Sequence, residues 1–326
     1  MDTARPAQTP FDRSIVHSSR QFMLRYGVYV SLATLLVLAL IFTPDLYKAQ
    51  NLTLILRQAA QLGLVAIGQT LVLLVAGLDL SVGGVIVLTN VVIAEVSNGD
   101  NARLPLALAV ALGLGALVGL ANGLLVTRRN VPPFVATLGV LVFITGAQVA
   151  YTRGIPSGFV PNALNVVNQS VGPLPVSFLI WAGFTALFSF LLYLMPYGRR
   201  IYAVGSNREA ARLSGLRVNR VLLSVYVLCS LMAVAAGIVL SGYVGYIDRY
   251  LGRGFDLDSI AAAVVGGTAF TGGRGGLFGT VAGVLIIQIL SSMSLLLGLN
   301  VQVQFILKGL VIVAAVALYT MAARRA

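Results

Sequence analysis

The chain has 326 residues, 58% of them apolar and only 10% charged, with a mean hydropathy of +0.93. A soluble domain carries roughly a quarter charged side chains, so the composition excludes a water-soluble globule and predicts an all-α, polytopic transmembrane helical bundle. The net charge of +12 does not mark a nucleic-acid binder, because the basic residues are spread over short loops. One cysteine and one histidine, Cys229 and His17, rule against an intramolecular disulfide, a His/Cys metal site and histidine catalysis.

In chain order, a polar arm (1–25) precedes the first apolar run, which begins near Tyr26 and lacks a small-residue cleavage site. The run reads as a retained span and not as a secretory signal. At about 20 apolar residues per crossing, ten spans are expected: 26–43, 58–76, 81–96, 104–126, 132–151, 176–195, 221–242, 257–273, 277–297 and 303–322. They make one transmembrane domain, 26–322, followed by a short tail, 323–326. Ten crossings put both termini on one side. If that side is the cytoplasm, 15 of the 22 basic residues are inside, five are outside (Lys48, Arg103, Arg153, Arg249, Arg253), and Arg57 and Lys308 lie near outer span ends. This asymmetry follows the positive-inside rule.

The third and eighth spans are short, and each follows a Gly-x-Asp-Leu turn, at Gly77–Leu80 and Gly254–Leu257. Each is the third member of a five-span half, so the chain reads either as an inverted five-plus-five repeat or as chance similarity within a glycine-rich apolar sequence. Glycines also line the fourth span (Gly113, Gly115, Gly119, Gly123) and crowd Gly266–Gly283, where they favour close helix approach and a tight turn at Arg274.

Only Asp79, Glu95 and Lys308 are candidates for charge within the membrane, which offers little to a proton pump or to an ion-coupled secondary carrier, the rival reading. Amides and hydroxyls are more plentiful, and Asp79, Ser81, Asn90, Asn122, Gln148 and Gln288 are the candidates for a transport pathway. Such groups can exchange hydrogen bonds with a neutral polyhydroxylated solute such as a sugar, or simply bond helix to helix. Asp79 can likewise cap the helix that begins near Ser81, or touch the solute. The nucleotide-loop spacing with its Lys-Ser or Lys-Thr ending is absent, so a nucleotide-driven process would need ATP bound by another subunit. No nucleophile, base and orienting group recur at a recognisable spacing, which disfavours a membrane enzyme and leaves no catalytic residue to name.

Between the sixth and seventh spans lies a basic island, Tyr197–Arg220. Within it Asn207 can cap a helix starting at Arg208, Glu209 complements the helix dipole, and Gly215 can end the helix. Ala210, Ala211 and Leu213 would form a small apolar surface, and Arg208 and Arg212 could meet acidic partner groups. The alternative is a topogenic loop that touches only lipid headgroups.

Three ordered motifs, Gly77-Leu-Asp-Leu-Ser-Val-Gly83, Glu209-Ala-Ala-Arg-Leu-Ser-Gly215 and Ala261-Ala-Ala-Val-Val-Gly-Gly-Thr268 with Gly272-Gly-Arg-Gly275, together resemble the ribose-type permease family of bacterial ATP-binding-cassette importers. The resemblance covers about residues 50–320. It implies a multi-pass subunit of the bacterial inner membrane with both termini cytoplasmic, paired with a second permease copy as a homodimer or heterodimer. It further implies a periplasmic solute-binding protein, and cytoplasmic ATPase subunits that hold the ATP and magnesium, with no cofactor in this chain. In the family the Glu-Ala-Ala region is the coupling helix that enters an ATPase groove, which here falls on Glu209, Ala210, Ala211 and Gly215. Sugars are the implied cargo; branched-chain amino-acid permeases are more distant relatives.

Overall fold

The computed structural model describes residues 10–300, 302–304, 306, 309 and 310, with side chains from Tyr26 onward. The span read at 303–322, Lys308 and the tail thus lie wholly or largely outside the described residues.

The architecture is a helical bundle. In chain order it comprises α1 (Pro10–Phe42), α2 (Ala49–Leu74), α3 (Val82–Ser97), α4 (Leu104–Arg128), α5 (Pro133–Thr152), α6 (Val176–Ser189), α7 (Pro196–Ser206), α8 (Arg208–Leu213), α9 (Val218–Val244), α10 (Phe255–Val265) and α11 (Leu277–Leu296). A π-helical turn, Phe190–Leu194, continues α6. Two-residue strands β1 (Ser170–Val171) and β2 (Leu174–Pro175) pair antiparallel, Ser170 opposite Pro175. Among the described residues, five helical segments are long and apolar enough to cross a membrane: Asn101–Arg128, Pro133–Thr152, Val176–Leu194, Val218–Val244 and Leu277–Leu296. Tyr26–Phe42 and Val82–Ser97 are shorter apolar helices.

Burial sorts these helices into a centre and a periphery. Every residue of α2 from Ala59 to Leu74 is buried, which a helix permits only when apolar or small side chains run all the way round it. Its main neighbour α9 is nearly as enclosed, from Val221 through Gly242. By contrast α4, α5 and α6 turn Leu117, Phe143, Tyr151, Leu187 and Phe190 outward, the pattern of side chains that meet lipid. The α4–α9 seam is made by glycines one turn apart: a Cβ at Gly115, Gly119 or Gly123 would run into Val234, the Val227 backbone or Leu223. Small residues at this spacing let two helices pack backbone to backbone. Gly113, expected on the same seam, faces open space.

Two irregular segments interrupt the bundle. Residues 75–81 separate α2 from α3, and 245–254 separate α9 from α10. The second segment meets the first turn of α3, where Gly83 and Gly252 lie backbone against backbone, each too close to the other's carbonyl to admit a side chain. The expectation of a span over 257–273 is corrected: α10 stops at Val265. Gly267, Gly272, Gly273 and Gly275 all take positive φ, and glycine's freedom in that region makes 266–276 a loop instead of helix.

The basic island also differs from expectation. It holds two helices, not one insert in a loop, because Pro196 at the first position starts α7 before α8 begins. Ile201, Val204 and Gly205 of α7 are buried, while Arg199 and Arg200 face outward.

Candidate functional site

The described structure brings the sequence candidates together in two places. The first is α8. Asn207 caps it as expected, its Oδ1 accepting the Glu209 and Ala210 N–H groups, both at 3.0 Å. Gly215, at φ 81°, ends it, with Gly215 N–H bonded to Arg212 O and Leu216 N–H to Ala211 O. Glu209 and Arg212 face each other across one turn at 3.5 Å, an exposed ion pair that contributes little to stability.

The outer face of α8 is narrower than its sequence suggests. Leu213 is 81% exposed and Ala210 is exposed, but Ala211 is buried against the chain's own core. Arg208 also turns inward. Its Nη2 donates to Val75 O at 2.9 Å and Ala76 O at 3.4 Å, at the C-terminus of α2.

The carbonyls of residues 72–75 at that terminus all find partners. The last four carbonyls of a helix lack intrahelical partners. Here Gly77 N–H bonds Val72 O and Ala76 N–H bonds Leu73 O, leaving Leu74 O and Val75 O. The Gly273 N–H takes Leu74 O at 2.9 Å, and Arg208 takes Val75 O. Ala76 sits at φ 55°, a left-handed position usually left to glycine. Gly205 and Gly272 allow the approach: a Cβ on Gly205 would overlap Leu74 O, and one on Gly272 would crowd the Ala76 nitrogen. Tyr202 closes the junction by donating to Gly275 O at 2.9 Å. Burial raises the Tyr202 and Tyr197 phenols above their ordinary range, so both serve as neutral hydrogen-bonding groups.

The second place is the elbow, 75–81. Asp79, Ser81 and Asn122 are all fully buried and bonded together. Asp79 Oδ1 accepts from Ser81 N at 2.9 Å, Ser81 Oγ at 2.6 Å and Asn122 Nδ2 at 3.4 Å, and Asn122 Nδ2 also donates to Ser81 Oγ at 2.8 Å. The bond to Ser81 N–H is a tight turn before α3 and not the expected cap: Ser81 is itself the N-cap residue, and no side chain caps the helix. Thr137 adds to the cluster by accepting the Leu80 N–H at 3.1 Å. Asn122 lies six residues before the end of α4, about 9 Å of helix from it.

Among the described residues, Asp79 Oδ2, Asn122 Oδ1, the Tyr226 hydroxyl and Gln69 Nε2 have no hydrogen-bond partner. Tyr226 packs against Gly77, and Cys229 reaches Gln69 Oε1 at 3.8 Å. Tyr226 and Cys229 were not legible as members of this cluster, because nothing in the α9 sequence shows which of its faces meets the elbow.

The other pathway candidates stand apart. Asn90 pins α3 to the 245–254 segment through Ser241 Oγ, Tyr246 O and Asp248 N–H. Gln148 donates to Gly84 O at 3.0 Å, and Gln288 reaches Gln58 O at 3.5 Å. All three link helix to helix. Glu95 lies at the edge of the bundle, accepting from Ser157 N–H at 3.4 Å.

Comparison with known proteins decides the family. Residues 51–316 match the family model described as the branched-chain amino acid transport system / permease component. The chain belongs to this permease family. The permease is 36% identical over 303 residues to the ribose import permease protein RbsC of Escherichia coli K12, covering 91% of this chain and 94% of that protein. It is 34% identical to the fructose import permease protein FrcC of Rhizobium meliloti, covering 89% and 83%. It is also 34% identical to the galactose/methyl galactoside import permease protein MglC of E. coli K12, covering 90% and 93%. No solved structure matches the permease.

Proposed function

We propose that this permease is the membrane-spanning subunit of an ATP-driven importer of a sugar or sugar-like solute. In this reading the ATP and magnesium belong to a partner ATPase that docks on α8. A periplasmic binding protein delivers the solute to the opposite face, a second permease copy completes the path, and both termini are cytoplasmic in the inner membrane. The observation that carries the reading is the capped, outward-facing α8, with exposed Leu213 flanked by the Glu209–Arg212 pair, on the most basic connection of the chain.

The family description points to branched-chain amino acids, whereas the named relatives import sugars. The relatives carry more weight for the cargo, because they align over about nine-tenths of this chain while the model's description labels a broad family. The charge-poor polar cluster favours the same choice: amides, hydroxyls and one carboxylate can bond sugar hydroxyls, and among the described residues no Lys or Arg is fully buried to meet an amino acid's carboxylate. The unpaired atoms of Asp79, Asn122 and Tyr226 are among the buried polar groups free to exchange bonds with a passing solute. Alternating access then follows from nucleotide-dependent movement of α8.

The test is uptake into cells lacking their own sugar importers that express the permease with its companion ATPase and binding protein. Radiolabelled D-ribose, D-fructose and D-galactose are compared with L-leucine. ATP-dependent uptake of a sugar is expected. Uptake of leucine alone would overturn the cargo, and uptake by the permease alone under a proton gradient would identify a secondary carrier.

A further inference from the structure

We infer that Arg208 is not a contact for the ATPase but the internal tie through which movement of α8 reaches the buried elbow; this rests on the proposal that the ATPase docks on α8. The side chain leaves the first residue of α8 and ends on Val75 O and Ala76 O, the first two carbonyls of the elbow, just past the end of α2. A guanidinium suits this place: it holds its charge, complements the negative end of a helix dipole, and reaches both acceptors through one nitrogen, Nη2. Among the described residues no carboxylate forms an ion pair with it, and the nearby Glu209 pairs with Arg212 on the exposed side.

Three further features make the tie directional. Glycines at 205 and 272 bring α7 and the 266–276 loop against Leu74 and Ala76 without intervening side chains, so there is little slack to absorb a displacement. Ala76 is already in a left-handed conformation, which a non-glycine residue keeps only where surrounding contacts hold it. Three residues on, Asp79 organises the entry to α3 through Ser81. A pull on Val75 and Ala76 therefore acts on a strained hinge whose far side is the Asp79–Ser81–Asn122 cluster. The Gly273 bond to Leu74 O ties the same point to the loop that follows α10, so both broken segments near the α8 end of the bundle are connected at one place.

The experiment uses the assembled transporter in detergent, with ATP and vanadate as the probe, and follows hydrogen exchange in α8 and in residues 75–85. Co-purification of the ATPase is measured in parallel for Arg208→Ala, Arg208→Lys and Leu213→Asp. Arg208→Ala is expected to retain the ATPase and the nucleotide-dependent change in α8, while losing the change in 75–85. Arg208→Lys, which can still donate to both carbonyls, should restore at least half of it. A purely structural role would raise exchange at 75–85 with or without nucleotide, and that outcome would overturn the inference. So would an unaltered nucleotide response in Arg208→Ala, or loss of the ATPase on a par with Leu213→Asp, which would make Arg208 a docking residue. Retention of the ATPase by Leu213→Asp fails the docking proposal instead, and is read independently of the elbow.

Discussion

At the scale of single residues, Asp79 shows how one side chain can be structural and still available. Its Oδ1 accepts three bonds while Oδ2 accepts none among the described residues. Replacing it by Ala strands the Ser81 N–H, and a buried donor left without its acceptor costs about 1–3 kcal/mol. Asp79→Asn keeps an acceptor oxygen at the same place. We expect Asp79→Ala to lower the melting temperature in detergent and Asp79→Asn to leave it nearly unchanged. Near-wild-type uptake by the folded Asn variant would assign Asp79 to helix entry alone; a loss of uptake without a loss of stability would assign it to the solute path. Sequence reading reached Asp79, Ser81 and Asn122 because a rare carboxylate in an apolar chain draws attention by itself. It missed the inward turn of Arg208, since a basic residue in a basic loop carries no mark of where its side chain ends.

Among the elements, the decisive contacts are between backbones. Gly119 of α4 lies against the Val227 Cα and Tyr226 O of α9. Inserting a branched side chain there forces the helices apart, and overpacking of this kind costs about 1–3 kcal/mol. Gly119→Val should destabilise the permease in a detergent melt, whereas Gly113→Val, which faces open space, should not. Equal effects would show that the glycine seam is not the contact that matters. The glycine stripe was visible in the sequence as spacing, but which members of it touch a neighbour depends on the rotation of α4, which a uniformly apolar helix does not reveal. The same ambiguity hid the end of α10: apolar residues continue through Val265 and glycines follow, and only the run of positive-φ positions shows that the chain has stopped being helical.

For the whole molecule, helical membrane architecture followed directly from composition, and the order of the elements from the spacing of apolar runs. Orientation is the open physical question that charge asymmetry answers by rule and labelling can answer by measurement. With Cys229 changed to Ser, a single cysteine at Leu213 should react with a membrane-impermeant maleimide only in inside-out vesicles, and one at Tyr246, which is 61% exposed, only in right-side-out vesicles or intact cells. Reaction of both from one side would break the proposed topology.

The burial of α2 has a consequence for how the protein is made. Its 26 residues include Arg57, Gln58, Gln61 and Gln69, and it is absent from the five segments apolar enough to cross a membrane on length and hydropathy. A segment entering the bilayer is selected by its own affinity for lipid, yet α2 spends its folded life touching protein. Its principal companion α9 begins at Val218, well over a hundred residues later in synthesis. For that interval a helix that the finished bundle encloses in protein carries Arg57, Gln58, Gln61 and Gln69 toward whatever surrounds it. Of the long helices that pack on α2, α6 (Val176–Ser189) is made before α9, so α6 or a membrane chaperone is what can shelter it until α9 arrives.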